Sequence, residues 1–222
     1  MEHEFWHERW EKDEIGFHQV TVNEELKRFL GRLELPAGAH VMVPFCGKTL
    51  DMWWLRKRGF RVTGVELSPV AVKDFFDDAG LTPVVRRQDG FEVCSAAGVE
   101  LICGDFFKLE PGDFEEVNAV YDRAALVALP PAMRPAYVGQ MTRLTPPGVQ
   151  TLLISLDYPQ HEMRGPPFAV SSAEIAELFG AQHEIEALHS EDRLEQEPRF
   201  RARGLTRLLE QVYRLERRGD PH

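Results

Sequence analysis

Beyond residue 35, short apolar runs alternate with stretches whose apolar residues recur every three or four positions. A strand buried on both faces reads as a continuous apolar run and a covering helix as a stripe, so the pattern predicts a mostly parallel sheet with helices on both faces. The first strand is expected over His40-Val41-Met42-Val43-Pro44, followed by a helix from Leu50 to Arg58 that Gly59 closes. Arg61 to Glu66 makes the second strand and ends on a carboxylate. Ser68 and Pro69 suit the N-cap and first turn of a helix reaching Ala79, with Gly80 beyond it. Two apolar runs flank Gln88-Asp89-Gly90 and predict a hairpin ahead of a strand at Val99 to Cys103.

The second half continues the alternation. A strand is expected at Val117 to Tyr121, a helix from about Ala132 to Leu144, and a strongly apolar strand at Val149 to Leu156 after the turn forced by Pro146-Pro147-Gly148. Ser171 and Ser172 can cap a helix from Ala173 to Phe179, and His183 to Leu188 offers another strand. The last segment carries two conflicting signals. Leu205, Leu208, Leu209 and Val212 recur at helical spacing, whereas a doubly wound sheet of this length needs a closing strand there, and the strand is the expectation. The first 35 residues, with Trp6, Trp10 and Phe17 among charges, are expected to form helical segments ahead of the sheet. The resulting expectation is an α/β fold in one domain over residues 1–222, with a Rossmann-like doubly wound core at 36–222 and an N-terminal helical lid at 1–35.

Composition narrows the ligand rather than the fold. The 222 residues are 43% apolar and 28% charged, as in ordinary globular proteins, and suffice for one sizeable core. Acidic residues outnumber basic ones by 36 to 26, a formal net charge of -10, so nucleic acid or an anionic membrane would be repelled and a neutral or cationic small molecule is favoured. A late basic cluster, Arg193, Arg199, Arg201, Arg203, Arg207, Arg214, Arg217 and Arg218, reads mostly as a solvated face with one or two members turned toward a ligand. Cys46, Cys94 and Cys103 show neither CxxC nor zinc-finger spacing, so no disulfide framework or metal site is indicated and a reducing cytosol fits. Met1-Glu2-His3-Glu4 is acidic where a signal peptide would be basic, and no apolar run is long enough to cross a bilayer. A cytoplasmic monomer is expected.

In doubly wound folds the ligand sits outside the carboxyl ends of the strands, close to the first strand-to-helix turn, and a carboxylate after the second strand takes the ribose hydroxyls. Pro44-Phe45-Cys46-Gly47-Lys48-Thr49 and Glu66 have that arrangement. A charge-assisted hydrogen bond of this kind is worth about 1.5–3 kcal/mol; the plainer alternative makes Glu66 a solvated residue at a strand end. A single glycine in the turn argues against a dinucleotide, and Met42 stands where a phosphate loop would need its leading glycine. An adenosyl ligand without phosphate suits the loop better. Trp53 and Trp54 read as helix core and rim, Cys46 as a small buried hydrophobe, and His18 equally as a structural or a functional residue.

The run Val43-Pro44-Phe45-Cys46-Gly47-Lys48-Thr49-Leu50-Asp51-Met52 resembles the proline-and-CGK loop of the thiopurine S-methyltransferases. Further strings resemble that family in the same order: Trp6-His7-Glu8-Arg9-Trp10, Gly16-Phe17-His18-Gln19, Gly64-Val65-Glu66-Leu67-Ser68, Tyr121-Asp122-Arg123-Ala124-Ala125-Leu126-Val127-Ala128 and Gly165-Pro166-Pro167-Phe168. The resemblance implies a class I methyltransferase whose S-adenosyl-L-methionine is held by the segment from Trp6 to Phe17, above all Trp10, and by Phe45, Glu66, Asp105, Phe106 and Arg123. Phe45 departs from the family's usual leucine and Asp105 from the small polar residue of the animal enzymes, although an aspartate there can accept from an adenine amino group. Phe17 matches a ring lying between cofactor and substrate, and Arg199 a substrate-side arginine.

A sulfonium over Trp10 would gain about 0.5–2 kcal/mol by cation–π attraction. Arg123, after its strand, can pair with the methionine carboxylate or the substrate, and an arginine near the acceptor sulfur would favour its deprotonated form, the role given to Arg123 and Arg199. No residue is assigned as a general base. The activity implied is methyl transfer from S-adenosyl-L-methionine to the sulfur of aromatic or heterocyclic thiols such as thiopurines. Competing readings are a methyltransferase for inorganic selenium or tellurium species, a non-catalytic adenosylmethionine-binding protein, and an oxidoreductase, for which the glycines are too few.

Overall fold

The computed structural model describes residues 3–219, so Met1 and Glu2 of the acidic amino terminus lie outside the described residues. Among these residues nine strands form one sheet: β1 (His40–Pro44), β2 (Arg61–Glu66), β3 (Val84–Gln88), β4 (Phe91–Ala96), β5 (Val99–Cys103), β6 (Val117–Arg123), β7 (Gln150–Asp157), β8 (His183–Asp192) and β9 (Leu209–Arg217). The helices are α1 (His3–Glu11), α2 (Glu24–Phe29), α3 (Asp51–Lys57), α4 (Pro69–Asp77), α5 (Arg134–Leu144), α6 (Ser172–Phe179) and the short α7 (Pro198–Ala202).

Alternation along the central strands sorts the side chains into two cores. Met42, Val65, Ile102, Val120 and Leu153 pack with α5 and α6 on one face. Val41, Val43, Val62, Leu101, Tyr121 and Leu152 pack with α2, α3 and α4 on the other. Because helices cover both faces, β1 is buried at every position, which is why its sequence shows no polar alternation. Local signals agree with this packing. Ser68 caps α4 by accepting from the Ala71 N–H, with Pro69 in the first turn, and Asp89 and Gly90 both take positive φ in the hairpin joining β3 to β4.

The strand order is β3-β4-β5-β2-β1-β6-β7-β9-β8. The five strands from β5 to β7 are parallel, while β4, β3, β9 and β8 run antiparallel to the strands that lead to them. From β1 the chain moves outward through β2 and β5, then returns to β1's other edge with β6. Connections leave the carboxyl ends of β1 and β6 in opposite directions, and a crevice opens between them.

The closing strand is present, and the conflict at the end of the chain has a physical resolution. Val212 and Leu215 serve the two faces of the sheet, whereas Leu205 and Leu208 fill a separate small core with Tyr158, Met163 and Phe200. Two packing duties in succession produced the helical spacing. Two expectations need correction: β8 continues past Leu188 to Asp192 through a register shift between Ala187 and His189, and Arg123 is the last residue of β6 rather than a residue following the strand; α7 lies where the sequence predicted no element.

Candidate active site

A cavity of about 540 Å³ lies at the carboxyl ends of β1 and β6, within the roughly 300–1,000 Å³ typical of small-molecule sites. All eight residues singled out from the sequence line it: Trp10, Phe17, Phe45, Glu66, Asp105, Phe106, Arg123 and Arg199. The chain leaves both central strands in a left-handed conformation without glycine, Phe45 at φ 48° after β1 and Ala124 at φ 66° after β6. Such backbone is unfavourable for these residues and persists only where surrounding contacts impose it. At Phe45 the contacts are the rings of Phe106 and Tyr137, each centred 5.5 Å away.

Glu66 joins two loops. One carboxylate oxygen accepts from the Gly47 N–H at 2.8 Å and the other from the Ser68 N–H at 2.8 Å, in a group only 6% exposed. Burial pushes its pKa up, and the backbone N–H groups of Ser68, Gly47 and Leu67 oppose that shift. Each oxygen retains acceptor capacity toward the cavity, since a carboxylate offers about four lone-pair sites. The Cys46 N–H adds a bond to the Val65 carbonyl at 3.0 Å. Gly47 has φ 53°, and a Cβ there would lie 3.0 Å from the Trp10 ring, so the glycine allows the indole of α1 to rest on the loop. Cys46 itself is buried, its thiol pushed well above its ordinary pKa by burial, which suits a packing residue and not a nucleophile.

Asp105 caps the short turn at Phe106–Lys108, accepting from the Phe107 N–H at 3.0 Å, and its second oxygen lies 3.5 Å from His3 Nε2. The N-terminal segment therefore reaches the end of β5 as well as the loop after β1. Phe17 sits edge-on between Trp6 at 5.8 Å and Trp10 at 5.7 Å. Two arginines hold adjacent carbonyls of this segment: Arg123 Nη1 donates to Phe17 O at 3.2 Å, and Arg199 Nη1 donates to Gly16 O. Arg199 also donates to Glu197 at 3.1 Å and lies over the Phe200 ring at 4.8 Å. His18, just beyond, has its pKa lowered by burial first and then by Lys48 and Arg123.

Buried acids stiffen the floor of the site. Asp122 accepts from Tyr137 Oη at 2.7 Å and the Leu126 N–H at 3.2 Å, and burial pushes its pKa up to about 6. Asp51 accepts from Tyr121 Oη at 2.9 Å and the Asn23 N–H at 2.8 Å, which ties α3, β6 and the start of α2 together. Among the described residues no cluster of histidine, cysteine, aspartate or glutamate could hold a metal ion, and no helix is long and apolar enough to cross a membrane.

The model of the thiopurine S-methyltransferase family matches residues 1–218 of this chain. The chain belongs to the thiopurine S-methyltransferase family. It is 51% identical over 217 residues to the thiopurine S-methyltransferase of Xanthomonas campestris pv. campestris, covering 98% of this chain and 100% of that one. With the thiopurine S-methyltransferase of Nitrosospira multiformis it shares 47% over 215 residues, 97% and 98% of the two chains. Among solved structures it is similar to the 1,6-didemethyltoxoflavin N1-methyltransferase of Burkholderia thailandensis, with a TM-score of 0.62 at 16% identity over 98% of this chain and 87% of that chain. A SAM-dependent methyltransferase from Methanosarcina mazei gives a TM-score of 0.62 at 14% identity over 90% and 100%. At those identities the likeness is one of fold, that of the class I methyltransferases.

This member of the thiopurine S-methyltransferase family also carries cavity residues that its sequence did not single out as a site. Arg193, Glu197, Arg203 and Glu210 line the same cavity, together with Phe200 and Leu208. They come from the segment just after β8, the region of α7 and the start of β9. Their arginines belong to the basic cluster read mostly as a solvated face with one or two members turned toward a ligand; with Arg199, three of its members line the cavity.

Proposed function

We propose that this member of the thiopurine S-methyltransferase family transfers the methyl group of S-adenosyl-L-methionine to the sulfur of an aromatic or heterocyclic thiol, thiopurines included. The observation that carries this reading is that the Glu66-anchored loops and the Phe17 ring wall one cavity. The residues fit the cofactor: Glu66 offers free lone pairs to a ribose, the Asp105 oxygen near His3 suits an adenine amino group, and the Trp10 ring packed on the Gly47 loop adds an aromatic wall. Phe45 and Phe106 supply apolar surface beside them, and Arg123 provides a cation for the methionine carboxylate. When bound, the cofactor supplies an electrophilic methyl carbon on a sulfonium, open to in-line displacement.

The protein's part is alignment and the exclusion of water, since no covalent enzyme intermediate is needed. Phe17 would offer a face for the acceptor ring, and Arg199, which lines the same cavity, is assigned to the acceptor by the family resemblance. The segment from α1 to Phe17 serves as a lid on a single domain. The net charge of -10 supports a small-molecule acceptor over nucleic acid and agrees with a cytoplasmic monomer.

The test is a screen with methyl-labelled cofactor against 6-mercaptopurine, thiophenols, selenite and tellurite. Label should appear on the aromatic thiols. Label on the oxyanions alone would move the activity to chalcogen species, and tight S-adenosylhomocysteine binding without turnover of any acceptor would make the protein a non-catalytic binder.

A further inference from the structure

Methylating a neutral thiol or thione leaves one proton to be removed, and the reading above assigns that proton to no group. Five carboxylates line the cavity, and four of them accept a hydrogen bond or hold an ion pair at normal contact distance. Glu14 pairs with Arg9 at 2.7 Å, Glu66 accepts two backbone N–H bonds, Asp105 accepts from the Phe107 N–H, and Glu197 accepts from Arg199 at 3.1 Å. The fifth, Glu210, accepts no hydrogen bond among the described residues.

Its nearest cation is Arg193 Nε at 3.9 Å, beyond hydrogen-bond reach, and that Nε is itself buried without a partner. The Glu210 side chain is 19% exposed. It is the second residue of β9, opposite Leu156 of β7 and Glu191 of β8. Buried polar groups left unpaired are rare and ask for an explanation, and a pair held just out of contact on a cavity wall is open to a ligand placed between or beside them.

We propose that Glu210 is the proton acceptor of the reaction, taking the S–H or ring N–H proton of the acceptor while Arg193 faces the developing product side. This rests on the methyl-transfer reading. The step balances: the acceptor proton passes to a Glu210 oxygen, the freed electron pair on sulfur forms the new bond to the methyl carbon, and the methyl–sulfonium bond breaks with its pair retained by the cofactor sulfur. The proton then leaves to water with the products. Burial raises the Glu210 pKa, and Arg193 opposes that shift, which brings a carboxylate closer to the range useful for general base work near neutrality. The charged groups facing it are Arg193 and Glu191 at the end of β8, Glu25 of α2, Arg123 of β6 and Glu197 before α7.

Two acceptors separate this role from a structural one: 6-mercaptopurine, which must lose a proton, and 2-nitro-5-mercaptobenzoate, which is already ionised at neutral pH. Glu210→Gln should lower kcat/KM for 6-mercaptopurine by about 100-fold, in the range of a general base, and for the ionised thiol by less than about tenfold. Glu210→Asp should recover part of the loss. In the unmodified protein, activity on 6-mercaptopurine should fall as pH drops through the Glu210 pKa, while the ionised thiol shows no such limb. This profile stands whether or not the Gln variant folds.

A readout without turnover comes from titrating the S-adenosylhomocysteine complex with the ionised thiol in buffers of different ionisation enthalpy. An anion placed beside Glu210 should draw in about one proton, and Glu210→Gln should abolish the uptake. Equal losses on both acceptors, or equal proton uptake in both proteins, would overturn the role of Glu210. If the unmodified protein methylates neither thiol yet binds S-adenosylhomocysteine, the methyl-transfer reading has failed instead, and the assignment goes with it.

Discussion

The two ends of the cavity are built by different means. At the end proposed for the cofactor, the grip comes from tight strand-to-helix turns: Glu66 is fixed by the Gly47 and Ser68 N–H groups, and the Trp10 ring rests on Gly47. At the end proposed for the acceptor, charged side chains from the segment after β8, from α7 and from β9 meet across the crevice, Arg193 pairing with Glu191 and Arg199 with Glu197. One end is held by backbone and the other by side chains. Backbone geometry is common to the whole fold class, whereas side chains on irregular segments are free to vary, so affinity for the cofactor and choice of acceptor can change independently.

The largest expected effect tests the backbone-held end. Glu66→Ala removes the acceptor of two buried N–H groups and the lone pairs offered to a ribose, so S-adenosylhomocysteine affinity should fall roughly 100-fold, about 2.7 kcal/mol. Calorimetry reads the affinity, with circular dichroism as the check on folding. Unchanged affinity would remove the basis for distinguishing the two ends.

Asp122 is buried in β6 beside Arg123 and does not line the cavity, so its effect should be on stability alone. Its folded pKa of about 6 lies above the ordinary aspartate value, so folding favours its protonated form. That contribution is fully present below the unfolded pKa and is lost as pH rises through about 6. Measured against Asp122→Asn, the unmodified protein should lose about 2 kcal/mol of stability between about pH 4 and pH 7 in urea titrations. Parallel stability curves for the two proteins would contradict the assignment.

The arginines sharpen the comparison at about the tenfold level. Arg199→Ala should reduce turnover of aromatic thiols roughly tenfold and leave S-adenosylhomocysteine affinity within about twofold, whereas Arg123→Ala should impair both. Matching losses in both variants would mean that Arg199 acts only through the Gly16 carbonyl it holds. The smallest effect expected is a several-fold slowing of amide exchange across residues 6 to 17 when S-adenosylhomocysteine binds. Exchange that ignores the ligand would remove the segment from the cofactor end.

The same contrast explains what could be read from the sequence. β1 and β2 were placed to the residue because a doubly covered strand must be apolar throughout and its turn must carry Gly47, Glu66, Ser68 and Pro69 in fixed order. These are local constraints, legible within a few positions. The resemblance to the family then supplied Trp10, Phe17, Asp105, Phe106 and Arg199, which spacing alone would not have gathered. Glu210 and Arg193 stayed hidden for a physical reason: they are 17 positions apart in a charged stretch, and their meeting depends on β9 inserting between β7 and β8. Nothing in the local pattern distinguishes a glutamate turned into a crevice from one turned to water. α7 was missed likewise, since five residues carry too little periodicity to register.

The N-terminal segment is a wall of the cavity and, as the proposed lid, would also be its way out. Trp10 rests on Gly47, and Arg123 and Arg199 hold the carbonyls of Phe17 and Gly16. If the segment acts as the lid proposed above, a molecule seated between Glu66 and that indole would arrive before the segment settles and depart once both arginines release their carbonyls. Ligands would then come and go in a compulsory sequence, cofactor first in and spent cofactor last out. The pace of turnover would be set by two hydrogen bonds at the door, however fast the methyl group moves behind it.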